Sequence, residues 1–319
     1  MPPTPQTLRV RPPALQRGNM VGIVAPASNI DPDLLDAGCD RLRQLGYQPF
    51  YFDSIFEQDL YFAGSVERRA RELQEMFARE EIKAIVCARG GYGANYLLRA
   101  LDLKKISQTP KIFMGYSDNT SLLTWFADAA GFVTFHGPMV TKDFAREGGI
   151  DVASWDAAVS GADEWSITPQ VPAKVLQEGF AQGPLYGGCL SMLVASLGTP
   201  FEIRTAGTIL FIEDIAAKPF QVDRMLMQMK LAGKFKEVRG FVFGEMIDCV
   251  QHKDQAYTLE EVIMRVLGDL GVPVAYGLRS GHVSSGNITL PIGVRAELAI
   301  SGDDGKLKFV EPATTAVMR

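Results

Sequence analysis

Short runs of apolar, often β-branched residues alternate with helical segments over the first 130 residues, and this alternation limits the fold more than any other feature of the sequence. The apolar runs predict strands at residues 20–25, 47–52, 82–87 and 111–114. Apolar residues at helical spacing predict helices at residues 34–45, 65–78, 97–103 and 119–129. Strands that alternate with helices are typical of a parallel sheet covered on both faces. We therefore expect an α/β domain in this part of the chain.

The pattern weakens between residues 150 and 185, where tryptophan, proline and glycine interrupt the periodicity. Further on, the sequence predicts helices at 191–197 and 219–231, strands at 208–212, 241–245, 272–276 and 288–290, and a hairpin at 296–301 and 306–310. A chain of 319 residues suits two domains of about 100–200 residues each, or one large α/β unit. We predict an N-terminal domain at 1–165, a linker at 166–185 and a C-terminal domain at 186–319.

The charge balance and the cysteines narrow the function classes. The 37 acidic residues exceed the 32 basic ones, whereas a nucleic-acid-binding surface normally has a basic excess, so we expect a small molecule or peptide as substrate. Four scattered cysteines without a C-x-x-C pair fit neither a disulfide framework nor a zinc site. No apolar run reaches the roughly 18–20 residues of a membrane span, and the N-terminus lacks the apolar core of a secretory signal. These features predict a cytoplasmic protein without a metal.

A serine on a strand-to-helix turn is the most informative local feature. Gly115, Tyr116 and Ser117 end a predicted strand, and a predicted helix begins directly after them. Such a turn exposes the serine hydroxyl and leaves N–H groups at the helix start free to bind an anion. It resembles a nucleophile elbow, although Asn119 replaces the usual glycine two residues after the serine. The alternative is that Ser117 or Asp118 only caps the helix.

A glycine-rich loop, RGGYG at residues 89–93, follows another predicted strand. Glycine permits positive φ angles and close approach of the backbone, so the loop can offer amide donors to a ligand. It partly matches a dinucleotide fingerprint, which would indicate a nucleotide-binding oxidoreductase. However, Tyr96 stands where that fingerprint has its third glycine or alanine.

A serine nucleophile needs a base, and the sequence contains three histidines. His252 lies in a polar, surface-like segment. His136 ends an apolar strand and is either a structural histidine or part of a pocket wall, whereas His282 lies in a Gly/Ser-rich loop of the kind that often carries function. Glu213 ends the apolar run 209–212 and suits the acid that orients a histidine, although an N-cap or an exposed carboxylate fits equally well.

Together these motifs resemble the LD-carboxypeptidases, a serine peptidase family that includes muramoyltetrapeptide carboxypeptidases and microcin C self-immunity peptidases. The similarity rests on RGGYG at 89–93, GYSD at 115–118, FIEDI at 211–215 and the pair Gly281-His282. The segments VGIVAPAS at 21–28 and PFQVDRML at 219–226 are similar too. The resemblance therefore covers nearly the whole chain.

The resemblance implies a Ser-His-Glu triad, with Ser117 as nucleophile, His282 as general base and Glu213 as the orienting acid. It also implies an oxyanion hole formed by the backbone N–H groups of Gly91 and Asp118. The implied fold is an N-terminal α/β sandwich domain with a mostly parallel sheet, followed by a C-terminal domain with a partly open β-barrel. The serine belongs to the first domain and the other two triad residues to the second, so the active site lies between them.

The activity implied by the resemblance is release of the terminal D-alanine from murein tetrapeptides during cell-wall recycling, without a cofactor. The alternative within the family is hydrolysis of microcin C-like aminoacyl-sulfamoyl adenylates. We expect Arg89, Tyr92, Asn119 and His136 to contact the substrate. Because the family is commonly dimeric, a homodimer is also expected.

Overall fold

The computed structural model describes residues 9–167, 174–250, 256–302 and 304–316. Its strands are β1 (Met20–Val24), β2 (Gln48–Phe50), β3 (Ile82–Cys87), β4 (Ile112–Gly115), β5 (Thr134–His136), β6 (Trp165–Ile167), β7 (Lys174–Gln177), β8 (Gly179–Cys189), β9 (Ile209–Glu213), β10 (Gly240–Gly244), β11 (Val274–Leu278), β12 (Leu290–Ile292), β13 (Arg295–Ser301) and β14 (Asp304–Phe309). Its α-helices are α1 (Pro32–Gln44), α2 (Val66–Ala78), α3 (Leu103–Gln108), α4 (Thr120–Trp125), α5 (Val152–Val159), α6 (Leu190–Ala195), α7 (Pro219–Leu231) and α8 (Leu259–Leu267). None of the helices in these ranges is long and apolar enough to span a membrane.

The N-terminal domain is built on a six-stranded sheet with the strand order β12-β5-β4-β3-β1-β2. Strands β1 to β5 run parallel, and β12 pairs antiparallel with β5. Adjacent residues of β3 point to opposite faces of the sheet and lie in different apolar clusters. Ile85 packs in the cluster that contains Leu73 of α2, and Val86 packs in the cluster that contains Leu35 of α1. The predicted parallel sheet with both faces covered is confirmed.

The C-terminal domain is built on an eight-stranded sheet with the order β6-β14-β13-β8-β9-β10-β11-β7. The central strands β8 to β11 are parallel, and the outer pairings are antiparallel. The strand β7 at one edge lies near β13 and β14, so the sheet curls. Its two edges do not pair within the described residues, which therefore form no closed barrel. Helices α6, α7 and α8 cover one face through Leu193, Leu226 and Ile263.

The helix predicted at 97–103 is wrong. The chain instead forms a single helical turn of the 3₁₀ type at Ala94–Leu97, and α3 begins only at Leu103. The carboxylate of Asp102 accepts a hydrogen bond from the Lys105 N–H and thereby caps α3. A capping aspartate starts a new helix at this point, which the apolar spacing alone did not reveal.

Strands also lie where the sequence predicted a linker. β6, β7 and the first part of β8 belong to the second sheet, although they fall within or next to residues 166–185. Their residues are mostly exposed or half-buried, so they lack the clear alternation of apolar and polar residues that marks a strand. Residues 168–173 lie outside the described part of the chain. The exact domain boundaries remain a prediction.

The chain crosses between the two domains in a way that positions the functional residues. After β11 of the second sheet, a loop at 279–289 leads back to β12, which joins the first sheet beside β5. Near the same place, Thr120 Oγ1 at the start of α4 accepts a hydrogen bond of 3.1 Å from the Cys189 N–H at the end of β8. The carboxyl ends of β4 and β9 therefore meet at the boundary between the domains.

Candidate active site

Ser117 lies on a strained turn directly after β4. Its φ of 61° is a left-handed backbone conformation, which an L-residue adopts only where the surrounding structure holds it. Gly115 allows the turn, because a Cβ at this position would lie 3.1 Å from Cys87 Sγ and 3.2 Å from Asn119 Nδ2. The serine is half-buried, and a short helical turn connects it to α4. The predicted strand-to-helix turn is therefore present.

The glycine loop at 89–93 lies directly against Ser117. A Cβ on Gly90 would lie 2.8 Å from Ser117 Cβ and 3.0 Å from its Oγ, so this position has no space for a side chain. Ser28 holds the loop from the other side. Its N–H donates to the Gly90 carbonyl at 3.3 Å, and its hydroxyl oxygen accepts from the Tyr92 N–H at 3.1 Å.

Two backbone N–H groups beside the serine have no acceptor within the described residues: those of Gly91 and Asp118. By contrast, the Ala94 N–H donates to Asp118 Oδ2 at 2.7 Å. The Asp118 nitrogen lies 3.4 Å from the Cβ position of Gly90, so the two free amides belong to one small region beside the nucleophile turn. Paired free amides beside a serine are suited to binding an oxyanion.

The side chain of Asp118 fastens the glycine loop to this turn. Burial raises the pKa of Asp118 to about 6, although the N–H groups of Ala94 and Gly93 and the charge of Arg69 favour its ionised form. Arg69 is itself buried and donates to the carbonyls of Pro26 at 2.6 Å and Gly93 at 2.9 Å. The aspartate and the arginine thus fix the end of the loop from two directions.

His282 is held by the carboxylate of Glu213. Its Nδ1 lies 2.7 Å from Glu213 Oε2, and the same oxygen accepts the backbone N–H of His282 at 3.0 Å. The imidazole ring lies edge-on to the ring of Tyr116 with 5.1 Å between the ring centres, which places it at the turn that carries Ser117. Because Nδ1 is engaged by the carboxylate, Nε2 is the nitrogen left for proton transfer.

The electrostatics of the pair suit a base and its orienting acid. Burial by itself raises the pKa of Glu213, but the charge and hydrogen bonds of His282 outweigh this effect and hold the pKa below its ordinary value. An ionised carboxylate keeps the proton of the neutral imidazole on Nδ1 and stabilises the imidazolium that forms during proton transfer. Gly281, with a φ of 90°, permits the close approach, since a Cβ there would lie 2.6 Å from the carboxyl carbon.

Asn287 shapes the loop that carries His282, and the sequence analysis did not identify it. Its Oδ1 accepts the Gly281 N–H at 3.0 Å, and its Nδ2 donates to the Gly281 carbonyl at 3.1 Å. The side chain is fully buried, and its amide favours the ionised form of Asp143, whose pKa is raised by burial. An asparagine at the end of a Gly/Ser-rich loop was the available signal, because asparagine often closes turns through its own amide.

The four predicted substrate contacts differ in their exposure. Arg89 and Tyr92 are exposed at the glycine loop, and the Arg89 guanidinium donates to the Asn29 carbonyl at 3.0 Å. Asn119 is fully buried, and its amide nitrogen donates to the Arg89 carbonyl at 3.2 Å, which ties the loop to the turn. His136 is also fully buried. Substrate contact by these residues remains a prediction, and the last two have no solvent-exposed surface.

The geometry bears on two kinds of cofactor site, a metal site and a dinucleotide site. No cluster of three or more His, Cys, Asp or Glu that could hold a metal ion occurs within the described ranges, and His252 lies outside them. The glycine loop leads into a short turn at Ala94–Leu97 and not into a helix. It therefore lacks the helix N-terminus on which a dinucleotide fingerprint places the pyrophosphate.

Comparisons with known proteins find relatives over most of the chain. A family model for the LD-carboxypeptidase N-terminal domain matches residues 21–137, and the model for the C-terminal domain of the same family matches residues 182–298. A Bacillus subtilis (strain 168) protein named "Probable murein peptide carboxypeptidase" is 39% identical over 296 residues, which cover 92% of each chain. The microcin C7 self-immunity protein of Escherichia coli is 28% identical over 319 aligned positions, which cover 90% of this chain and 91% of that protein.

The fold is shared as well. The crystal structure of muramoyltetrapeptide carboxypeptidase from Oxalobacter formigenes matches with a TM-score of 0.84 at 29% identity, covering 93% of this chain and 100% of the other. Ser117 and the glycine loop lie within the N-terminal family match, and Glu213 and His282 lie within the C-terminal one. The chain therefore belongs to the LD-carboxypeptidase family.

Proposed function

We propose that this enzyme is a serine-type LD-carboxypeptidase that hydrolyses the L,D-peptide bond to the terminal D-alanine of murein tetrapeptides. Ser117, His282 and Glu213 form the proposed triad. The observation that carries the proposal is the 2.7 Å contact between His282 Nδ1 and the buried carboxylate of Glu213, beside the strained turn at Ser117. The substrate class follows from the relatives, whose names specify murein peptides and a muramoyltetrapeptide.

In the proposed reaction, His282 Nε2 takes the proton of the Ser117 hydroxyl as its oxygen attacks the carbonyl carbon of the scissile peptide bond. The tetrahedral intermediate collapses, the C–N bond breaks, and the imidazolium gives its proton to the leaving D-alanine amine. A water molecule then attacks the carbonyl carbon of the acyl-enzyme while His282 accepts its proton. This second tetrahedral intermediate collapses, the ester C–O bond to Ser117 breaks, and the imidazolium returns its proton to the Ser117 oxygen. Glu213 stays ionised throughout and keeps the imidazole oriented.

The negative oxygen of each tetrahedral intermediate is proposed to bind the N–H groups of Gly91 and Asp118. Both groups lack an acceptor among the described residues, so no internal hydrogen bond has to break before they bind the oxyanion. Loss of one such donor typically costs about 2.7–4 kcal/mol of transition-state stabilisation. This role explains the close contact between the glycine loop and the nucleophile turn.

Mass spectrometry of the reaction products tests the proposal. Purified enzyme is incubated with a murein tetrapeptide that ends in D-alanine and, separately, with the epimer that ends in L-alanine. We expect release of alanine from the first peptide only, and none from either peptide with Ser117→Ala. Equal release from both epimers would contradict L,D specificity, and full activity of the serine variant would contradict the covalent mechanism.

A third reaction tests the alternative substrate. A structure of the microcin C7 self-immunity protein in complex with aspartyl sulfamoyl adenosine supports including an aminoacyl-sulfamoyl adenosine in the same assay. We expect its kcat/KM to be well below that of the tetrapeptide. The reverse order would assign the enzyme to nucleotide conjugates while leaving the proposed triad unchanged.

We further propose that the enzyme works in the cytoplasm as a homodimer. All four cysteines are buried and unpaired, which suits a reducing compartment. The homodimer is proposed because members of the LD-carboxypeptidase family are commonly dimeric. Light scattering coupled to gel filtration tests it, and a monomer mass at micromolar concentration would refute it.

A further inference from the structure

His136 is a buried histidine that the proposed mechanism does not use. It ends β5 and is paired with Gly115 of β4 on one side and with Leu290 of β12 on the other. Its side chain is fully buried, and neither ring nitrogen has a hydrogen-bond partner within the described residues. Burial lowers the pKa of His136 to about 4, so the ring is neutral at pH 7. A neutral imidazole carries one N–H donor, and burying such a donor without an acceptor is costly.

Glu213 offers the complementary acceptor. Both hydrogen bonds from His282 go to Oε2, whereas Oε1 is buried and has no partner among the described residues. A buried carboxylate oxygen without a donor is expensive, because the charge has been removed from water. The triad carboxylate therefore has one satisfied oxygen and one unsatisfied oxygen.

The two unsatisfied groups lie in the same region of the core. Phe211 and Glu213 are two residues apart on β9, so their side chains point to the same face of the sheet. The ring of His136 lies against Phe211, with 5.0 Å between the ring centres. The same imidazole lies 5.9 Å from the ring of Tyr116, which in turn contacts His282. His136 thus lies close enough to the triad for the charges of Glu213 and His282 to act on its ring.

We propose that His136 is a positioning residue of the active site, whose imidazole N–H holds Glu213 Oε1 either directly or through one water molecule. The carboxylate is then held from both sides, by His282 at Oε2 and by His136 at Oε1. This arrangement fixes the rotation of the carboxylate plane and hence the orientation of the catalytic imidazole. The inference rests on the proposed triad and adds a residue that does not touch the substrate.

Removal of the donor has a predictable electrostatic effect. Without the N–H of His136, the charge of Glu213 is less neutralised and holds a proton on His282 more strongly. The acid limb of the kcat/KM profile, where activity rises as the base loses its proton, should therefore move to higher pH. A purely structural role of His136 would lower stability without moving this limb.

Other titratable groups face the same pair and need a control. Cys189 is paired with Glu213 across the sheet, and Asp214 follows Glu213 in the chain. Tyr116 lies against His282, and its hydroxyl donates to Asp143 at 3.5 Å. Thr134→Val provides the control. Thr134 lies on the same strand as His136 and is fully buried, and its hydroxyl donates to the Leu123 carbonyl at 3.0 Å, a group that belongs to another part of the core. The control variant keeps every group around Glu213.

The experiment compares His136→Phe, His136→Gln, His136→Asn and Thr134→Val by kcat, KM and the pH profile of kcat/KM. We expect His136→Phe to lose about tenfold or more in kcat with little change in KM, and its acid limb to move up by about 0.5–1 pH unit. At least one of the two amide variants, which keep an N–H donor, should recover most of kcat and the original limb. Should His136→Phe not fold, His136→Met takes its place, because methionine adapts to irregular cavities.

Two results would contradict the positioning role of His136. The positioning role is wrong if His136→Phe and the amide variants have the same kcat and the acid limb does not move. It is equally wrong if His136→Phe behaves like Thr134→Val. Failure of the triad itself is distinguishable, because it would leave Ser117→Ala active whatever the His136 variants do.

Discussion

Replacement of Gly90 by alanine should inactivate the enzyme while leaving it folded, because the added methyl group would take the space beside the nucleophile. The new Cβ would lie 2.8 Å from Ser117 Cβ, 3.0 Å from Ser117 Oγ and 3.4 Å from the Asp118 nitrogen. The first of these distances is shorter than a Cβ atom tolerates, so the loop or the serine must move by roughly half an ångström. Gly90 is not among the glycines with positive φ, so the effect is steric and not a backbone penalty.

The magnitude follows from the two consequences of this movement. Extra carbon in a well-packed region costs about 1–3 kcal/mol of unfolding free energy, which a domain of ordinary stability survives. Misplacement of reacting groups by about 1 Å costs roughly 100-fold in rate. A shift of the loop also moves the Gly91 amide away from the proposed oxyanion position. We therefore expect kcat/KM to fall by about 100-fold or more.

The assay is alanine release from the tetrapeptide, measured beside chemical denaturation of the same preparation. Gly268→Ala is the matched control, since Gly268 has a φ of −60° and the nearest atom to its added Cβ would be Met264 Cε at 3.7 Å. This variant should keep full activity. If Gly90→Ala retains kcat/KM within about threefold of the wild type, the loop does not lie against Ser117 during turnover, and the proposed oxyanion hole is wrong.

Three further predictions concern the nucleophile, its neighbour and metals. Ser117→Gly should be as inactive as Ser117→Ala. It should also be more stable than Ser117→Ala by about 1 kcal/mol in denaturant unfolding, because glycine adopts the positive φ of this position without strain. Equal unfolding free energies of the two variants would contradict strain at this turn. Asp118→Asn should match the wild type in stability at pH 4 and exceed it by about 2–3 kcal/mol above pH 7. The reason is that burial raises the pKa of the Asp118 carboxyl to about 6, so its ionisation between pH 4 and 6 destabilises the folded state of the wild type. A pH-independent difference in unfolding free energy would contradict that assignment. Treatment with EDTA should leave turnover unchanged, and a loss of activity that zinc restores would indicate a metal site.

Local features of the active site were predictable from the sequence because they depend on neighbouring residues. The strand at 112–115, the turn at Ser117 and the following helix follow from a short apolar run, a glycine and polar residues in succession. Glu213 could be placed at the end of a buried strand for the same reason, and α7 runs from Pro219 to Leu231 as the sequence predicts. The resemblance to the LD-carboxypeptidases added the roles of these residues, which no local pattern contains.

The partners of each side chain depended on the tertiary structure. Glu213 and His282 are 69 residues apart, and they meet because β9 and β11 are parallel strands of the second sheet whose carboxyl ends lie at the same edge. Sequence alone left His136 either as a structural histidine or as part of a pocket wall, whereas the fold buries it against Phe211. Periodicity reports which residues are buried, but not which buried residues face one another, because that depends on strand order and on chain crossings far away in sequence. For the same reason, the sequence could place the nucleophile turn, and only the fold could place Asn287 and His136 around the triad.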